Sequence, residues 1–116
     1  MVVGIEDSLN KVLKDLECPV IVEGRSDAEV LKKYGVQNIV SLDGRPLYMV
    51  AKETAEYCRK ALVLTDFDAE GEKIAGKLNV FLDKFNVVPK NSLRGKIKRI
   101  VTKEGISQIE NIPIPS

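Results

Sequence analysis

Histidine is absent from this chain of 116 residues. Its absence removes the commonest general base, the commonest zinc ligand and every Ser-His or Cys-His dyad, so catalysis here has to run on carboxylates, lysine, arginine or a metal ion. Cysteine is nearly as scarce. Cys18 and Cys58 stand far apart and in no CxxC pattern, which excludes a zinc knuckle and a redox pair and leaves two small apolar residues. No apolar stretch approaches membrane-spanning length, and the N-terminus has no basic region leading into an apolar signal core. A cytoplasmic protein with no membrane partner is expected.

What is present is the mixture of a soluble globular protein, 44% hydrophobic and 30% charged, with a formal net charge of +1 that hides a local imbalance. The length suits one domain over residues 1–116, with no internal repeat, low-complexity segment or linker.

Periodicity sets the expected elements. Leu9, Val12, Leu13 and Leu16 fall at helical spacing and predict an amphipathic helix over Glu6 to Glu17, closed by Cys18-Pro19. Pro19-Val20-Ile21-Val22 reads as a buried strand. Ser26-Asp27-Ala28-Glu29 then reads as a capping box, Ser26 serving the helix start and Glu29 reaching back, with Val30, Leu31 and Tyr34 inward and Gly35 as the stop. Asn38 to Leu42 predicts a second strand, Asp43 to Pro46 a turn, and Leu47 to Arg59 a third helix. A strand at Ala61 to Thr65 precedes the strongest helix, with Ile74, Leu78, Phe81, Leu82 and Phe85 on one face. Asn86 to Lys90 reads as its exit. Ser92 to Lys103 has helical spacing weakened by Gly95, Ile106 to Ile109 reads as a short edge strand, and residues 104–116 either pack as an edge or stay loose. Tyr34, Tyr48 and Tyr57 all fall in predicted helices and read as packing residues. Strands alternating with helices imply parallel βαβ units, with all strand C-termini along one edge and ligands sitting where the strand order reverses.

Two apolar strands end in charged, glycine-containing turns. One is Glu23-Gly24-Arg25-Ser26-Asp27, the other Thr65-Asp66-Phe67-Asp68-Ala69-Glu70-Gly71-Glu72. If the first and third strands are neighbours, Glu23 faces Asp66 and Asp68 across one crevice. Carboxylates one residue apart on a turn attract a hard divalent cation, and magnesium, which keeps several waters and needs few carboxylates, fits better than calcium or zinc. Each feature also has a plain reading: acidic residues are common helix starts, as Glu70 and Glu72 illustrate, and Glu23 and Arg25 also suit an ordinary turn. The conjunction of two such junctions favours the metal site.

The local imbalance is basic. Lys84, Lys90, Arg94, Lys96, Lys98, Arg99 and Lys103 occur with no acidic residue between them. Such a run suits the wet face of a helix, and equally a surface that grips nucleic-acid phosphates, although no aromatic stacking platform accompanies it.

Glu23-Gly24 after one strand and Asp66-x-Asp68-x-x-Gly71 after another resemble the Toprim domain shared by topoisomerases, bacterial-type primases, recombination proteins and certain nucleases. The resemblance covers about residues 18–85, with a basic helical extension at about 91–103. It implies a compact Rossmann-like α/β fold, a central parallel sheet of about four strands with helices on both faces. It also implies Mg2+, or Mn2+, held by Asp66 and Asp68, with Glu23 as general acid or base or further ligand and Glu70 in the third acidic position. Arg25, Arg94, Lys96, Lys98 and Arg99 are the expected contacts to RNA or DNA. Ala69 departs from the arginine usual in topoisomerases, which counts against strand passage. The expected activity is magnesium-dependent phosphodiester chemistry, foremost that of a small nuclease on RNA or structured nucleic acid. The alternative is a non-catalytic, metal-dependent module that holds nucleic acid or a nucleotide for a partner enzyme.

Overall fold

The computed structural model describes residues 4–116. Five helices and four strands alternate: α1 (Ile5–Leu13), β1 (Val20–Val22), α2 (Arg25–Lys33), β2 (Ile39–Ser41), α3 (Leu47–Tyr57), β3 (Lys60–Val63), α4 (Ala69–Lys84), β4 (Val88–Pro89) and α5 (Asn91–Thr102), followed by a 3-10 turn at Ile109–Asn111. The strands are all parallel, in the order β2-β1-β3-β4. The chain moves outward from β1 to β2, crosses back through α3, and resumes on the other side of β1. The order therefore reverses between β1 and β3, the two strands that end in acidic turns.

Side chains of a strand alternate between faces, and both faces here are covered. Val20, Val22, Leu62 and Leu64 point into a core with Leu9 and Leu13 of α1, Leu31 of α2, Ile97 and Val101 of α5, and Ile109 and Ile112 of the C-terminal segment. Ile21, Ala61 and Val63 point the other way, onto Val50 and Ala51 of α3 and Ala75, Leu78 and Leu82 of α4. Continuous apolar strands of three or four residues are what a sheet buried on both sides requires.

Four expectations are corrected. The start of α2 is capped by Gly24 rather than Ser26: the Gly24 N–H donates to Asp27 Oδ2 at 3.1 Å, so the carboxylate reaching back is Asp27 and not Glu29. Residues 86–90 hold β4, too short to announce itself by alternation. The segment at 106–109 is not a strand; Ile109 and Ile112, three residues apart, both turn inward at a tight turn packed against α2. Tyr34 does pack, its hydroxyl donating to Pro113 O at 2.6 Å, whereas Tyr57 at the end of α3 is 83% exposed and holds nothing in the core.

Candidate functional site

The site grows from the register of β1 and β3. Because these strands are parallel neighbours, the residues that follow them leave the sheet side by side, and the Asp66 N–H donates to Glu23 Oε2 at 2.8 Å. Asp68 closes the same turn as the N-cap of α4, its Oδ1 accepting from Gly71 N–H at 2.8 Å. Thr65, fully buried, donates its hydroxyl to Gly71 O at 2.7 Å. These two bonds draw the first turn of α4 onto the backbone of Asp66. Only glycine fits there, since a Cβ on residue 71 would land on the Asp66 carbonyl and 2.8 Å from its Cα.

The C-terminal segment completes the turn from the outside. Ser107 O accepts from Phe67 N–H at 2.6 Å, and the Ile109 N–H donates to Asp66 Oδ1 at 2.9 Å. Asp66 is thus held at its backbone by the Glu23 side chain and at its side chain by residues beyond α5. This contact and Asp27 are the parts of the site that sequence reasoning missed. Asp27 is buried at the start of α2, three residues after Gly24, and that spacing, taken with a glycine cap that has no side chain of its own, was the signal available.

Negative charge accumulates here. Burial pushes the Glu23 carboxyl above its ordinary value; the Asp66 amide opposes that, and the charges of Asp66, Asp27 and Asp68 add to it. Asp27 is likewise raised, first by burial and then by Asp66. A raised carboxyl in the folded state means that stability is full below the ordinary carboxylate range and is lost as pH rises through the raised value. Asp27→Asn keeps an acceptor for Gly24 while removing the charge. In metal-free buffer its melting temperature relative to wild type should therefore climb between pH 4 and pH 7; a constant offset across that range would remove Asp27 from the coupled cluster.

Arg94 is the principal correction to the expected phosphate contacts. It is only 7% exposed, with its guanidinium 4.7 Å from the Phe67 ring centre. Its Nη1 donates to Val63 O at 2.9 Å and Thr65 O at 3.0 Å, and its Nη2 to Asp66 O at 3.2 Å and to Glu72 Oε1. The reason lies in β4. Its ladder with β3 ends where Lys90 N–H meets Ala61 O, and with a period of two the next carbonyls along that edge belong to residues 63 and 65. Arg94 supplies the donors that a longer strand would have given, because buried carbonyls left unpaired are costly. Lys98 is turned the same way, onto Glu72 Oε2. Of the other expected contacts, Arg25 is exposed at the first residue of α2, two positions after Glu23, while Lys96 and Arg99 are exposed on α5. Glu70 is exposed in the first turn of α4.

A family model described as Toprim domain matches residues 18–104. The chain belongs to the Toprim family. Relatives of this Toprim protein include a UPF0292 protein of Thermococcus sibiricus, 33% identical over 109 residues, covering 93% of this chain and 84% of its own. Another, from Pyrococcus horikoshii, is 36% identical over 101 residues and covers 86% of this chain and 75% of its own. A solved structure of an Aquifex aeolicus protein matches with a TM-score of 0.73 and 26% identity, over 93% of this chain and 94% of that one. Membership carries a Toprim-type, nucleic-acid-related role, and Toprim domains generally bind Mg2+. Among the described residues no helix is long and apolar enough to cross a membrane.

The Toprim carboxylates suit magnesium in chemistry: hard oxygen donors, no histidine or thiolate, and no side-chain ion pair to Glu23, Asp66 or Asp68 among the described residues. In arrangement, Glu23, Asp66 and Asp68 each give one oxygen to a backbone amide. As the side chains lie, no three acidic groups among the described residues form a metal-holding cluster. One or two carboxylates with water in the remaining positions is the mode in which Mg2+ is commonly held.

Proposed function

We propose that this Toprim protein is a magnesium-dependent nuclease acting on RNA or structured nucleic acid. The observation that carries the reading is the bond from Asp66 N–H to Glu23 Oε2 at the point where the strand order reverses, because it sets the acids of two separate strands against one another. Asp66 and Asp68, with Glu23 or Glu70 as a further ligand, would hold the ion. Bound there, Mg2+ or Mn2+ supplies polarisation of a phosphoryl oxygen and a more acidic water. Glu23, its carboxyl raised above the ordinary range, is suited to exchange a proton with that water or with the leaving oxygen. Arg25, exposed at the start of the helix that follows Glu23, is suited to a phosphate of the substrate.

A second reading has its own support. All three carboxylates are engaged by backbone amides, an arrangement equally suited to a module that holds nucleic acid or a nucleotide for a partner enzyme without cutting it.

Labelled single-stranded DNA, duplex DNA and structured RNA incubated with Mg2+ or Mn2+ separate the two. Asp68→Asn is the better control than Asp68→Ala, since alanine would also remove the α4 cap, at a cost of about 1 kcal/mol. The nuclease reading expects metal-dependent cutting in wild type that falls at least roughly a hundredfold in Asp68→Asn. Cutting that persists undiminished in the variant refutes the assignment of Asp68. Binding without cutting selects the second reading.

A further inference from the structure

Lys96 and Arg99 do not face the carboxylates. An α-helix turns by about 100° per residue, so Arg94 and Lys98 share the side of α5 that meets Glu72, while Lys96, Arg99 and Lys103 lie roughly opposite. There they line a groove of about 990 Å³ between α1 and α5, to which α1 contributes Lys11. None of these four cations is ion-paired among the described residues, and Glu104 is the groove's one acidic lining residue. Its apolar lining is aliphatic, formed by Ile5, Val12 and Ile100.

We propose that this groove is an anchoring track for a single nucleic-acid strand, separate from the carboxylates and on the far side of α5. The inference rests on the nucleic-acid reading above and adds the surface. Charge complementarity selects the occupant: four cations on two walls, set against the single carboxylate of Glu104 and ion-paired with none of the described residues, ask for a repeating anion. Lys96 and Lys103 are about 10 Å apart along the helix axis at 1.5 Å per residue, a span that lets the two meet neighbouring phosphates of one extended strand. With aliphatic rather than aromatic contacts, the track grips the backbone and tolerates sequence, so its affinity is mainly counterion release. A strand held there would be fixed at one point while another part of it reaches the acidic turn.

The test is fluorescence anisotropy of labelled oligo(U) and oligo(dT) 20-mers with EDTA present, across a salt series. Lys11→Gln/Lys103→Gln is compared with Lys52→Gln/Lys77→Gln, an equal charge change at exposed positions on α3 and α4. Circular dichroism confirms that each variant is folded. The groove variant should bind roughly tenfold more weakly at low salt and lose about 1.4 from the slope of log K against log salt, at about 0.7 per phosphate contact. The α3/α4 variant should stay near wild type. Equal losses in the two variants overturn the groove while leaving the nucleic-acid reading in place. No binding of either oligomer by wild type overturns the groove, and the metal-dependent cleavage assay on structured RNA then decides the nucleic-acid reading separately. Displacement of the oligomers by poly-glutamate of matched charge at equal concentration overturns the proposal in favour of an acidic protein partner.

Discussion

A Gly71→Ala variant is expected to lose about 3 kcal/mol of stability or more, the upper part of what overpacking costs. The added Cβ would meet the Asp66 carbonyl and lie 2.8 Å from its Cα, and all of these are backbone atoms with no rotamer to yield. Relief would need the first turn of α4 to move away from the Asp66 turn, breaking the Asp68 cap and the Thr65 bond together. The same helix provides the control. Gly76 has open space where a Cβ would go, so Gly76→Ala should stabilise by about 1 kcal/mol through helix propensity alone. Urea denaturation of the two variants reads this directly, and a Gly71→Ala midpoint equal to wild type would refute the close approach of α4 to Asp66.

Arg94→Met is expected to cost about 3–5 kcal/mol, chiefly from the buried carbonyls left without a donor, at about 1–3 kcal/mol each. Methionine fills much of the volume, but Val63 O, Thr65 O and Asp66 O lose their donor and Glu72 loses one of its two cations. Arg94→Lys should recover only part, since one ammonium cannot reproduce a planar fork that meets four acceptors. A pH signature accompanies the loss. Lys98 first and Arg94 second hold the Glu72 carboxyl below its ordinary value, so this network adds stability above the ordinary carboxylate range that is lost as pH falls through the lowered value. The gap between wild type and Arg94→Met should therefore narrow in acid. A gap that stays constant in acid would detach Arg94 from Glu72.

These two residues mark the limits of what could be read from the chain. Gly71 was legible: a glycine three residues after Asp68 at a strand-to-helix junction signals close backbone approach, and the structure supplies the atom that would be struck. The pairing of Glu23 with the aspartates was legible too, because continuous apolar strands imply a doubly covered parallel sheet, and such a sheet brings its strand ends to one edge. Arg94 was not. Local pattern assigns an arginine in a basic run to the surface, and what buries it is the early end of β4, a two-residue strand with no alternation to detect. The bond between Ile109 and Asp66 was equally hidden, since nothing local to either residue records the other. Asp27 lies between, visible as a helix-start acid but not as part of the charged cluster, which needs the third dimension to become close.

The hold of Ile109 on Asp66 spans 43 positions, and it carries a consequence for motion. Docking of the C-terminal segment is a closure of high sequence separation, the kind of contact that forms late in folding. It also defines a unit that can open below the global unfolding free energy. Each opening would release Asp66 Oδ1 while the bond from the Asp66 amide to Glu23 stays in place, so the charge available in the acidic turn would fluctuate with the tail and not with the sheet. Hydrogen exchange at the Ile109 amide would then report, at single-residue resolution, how often that carboxylate is set free.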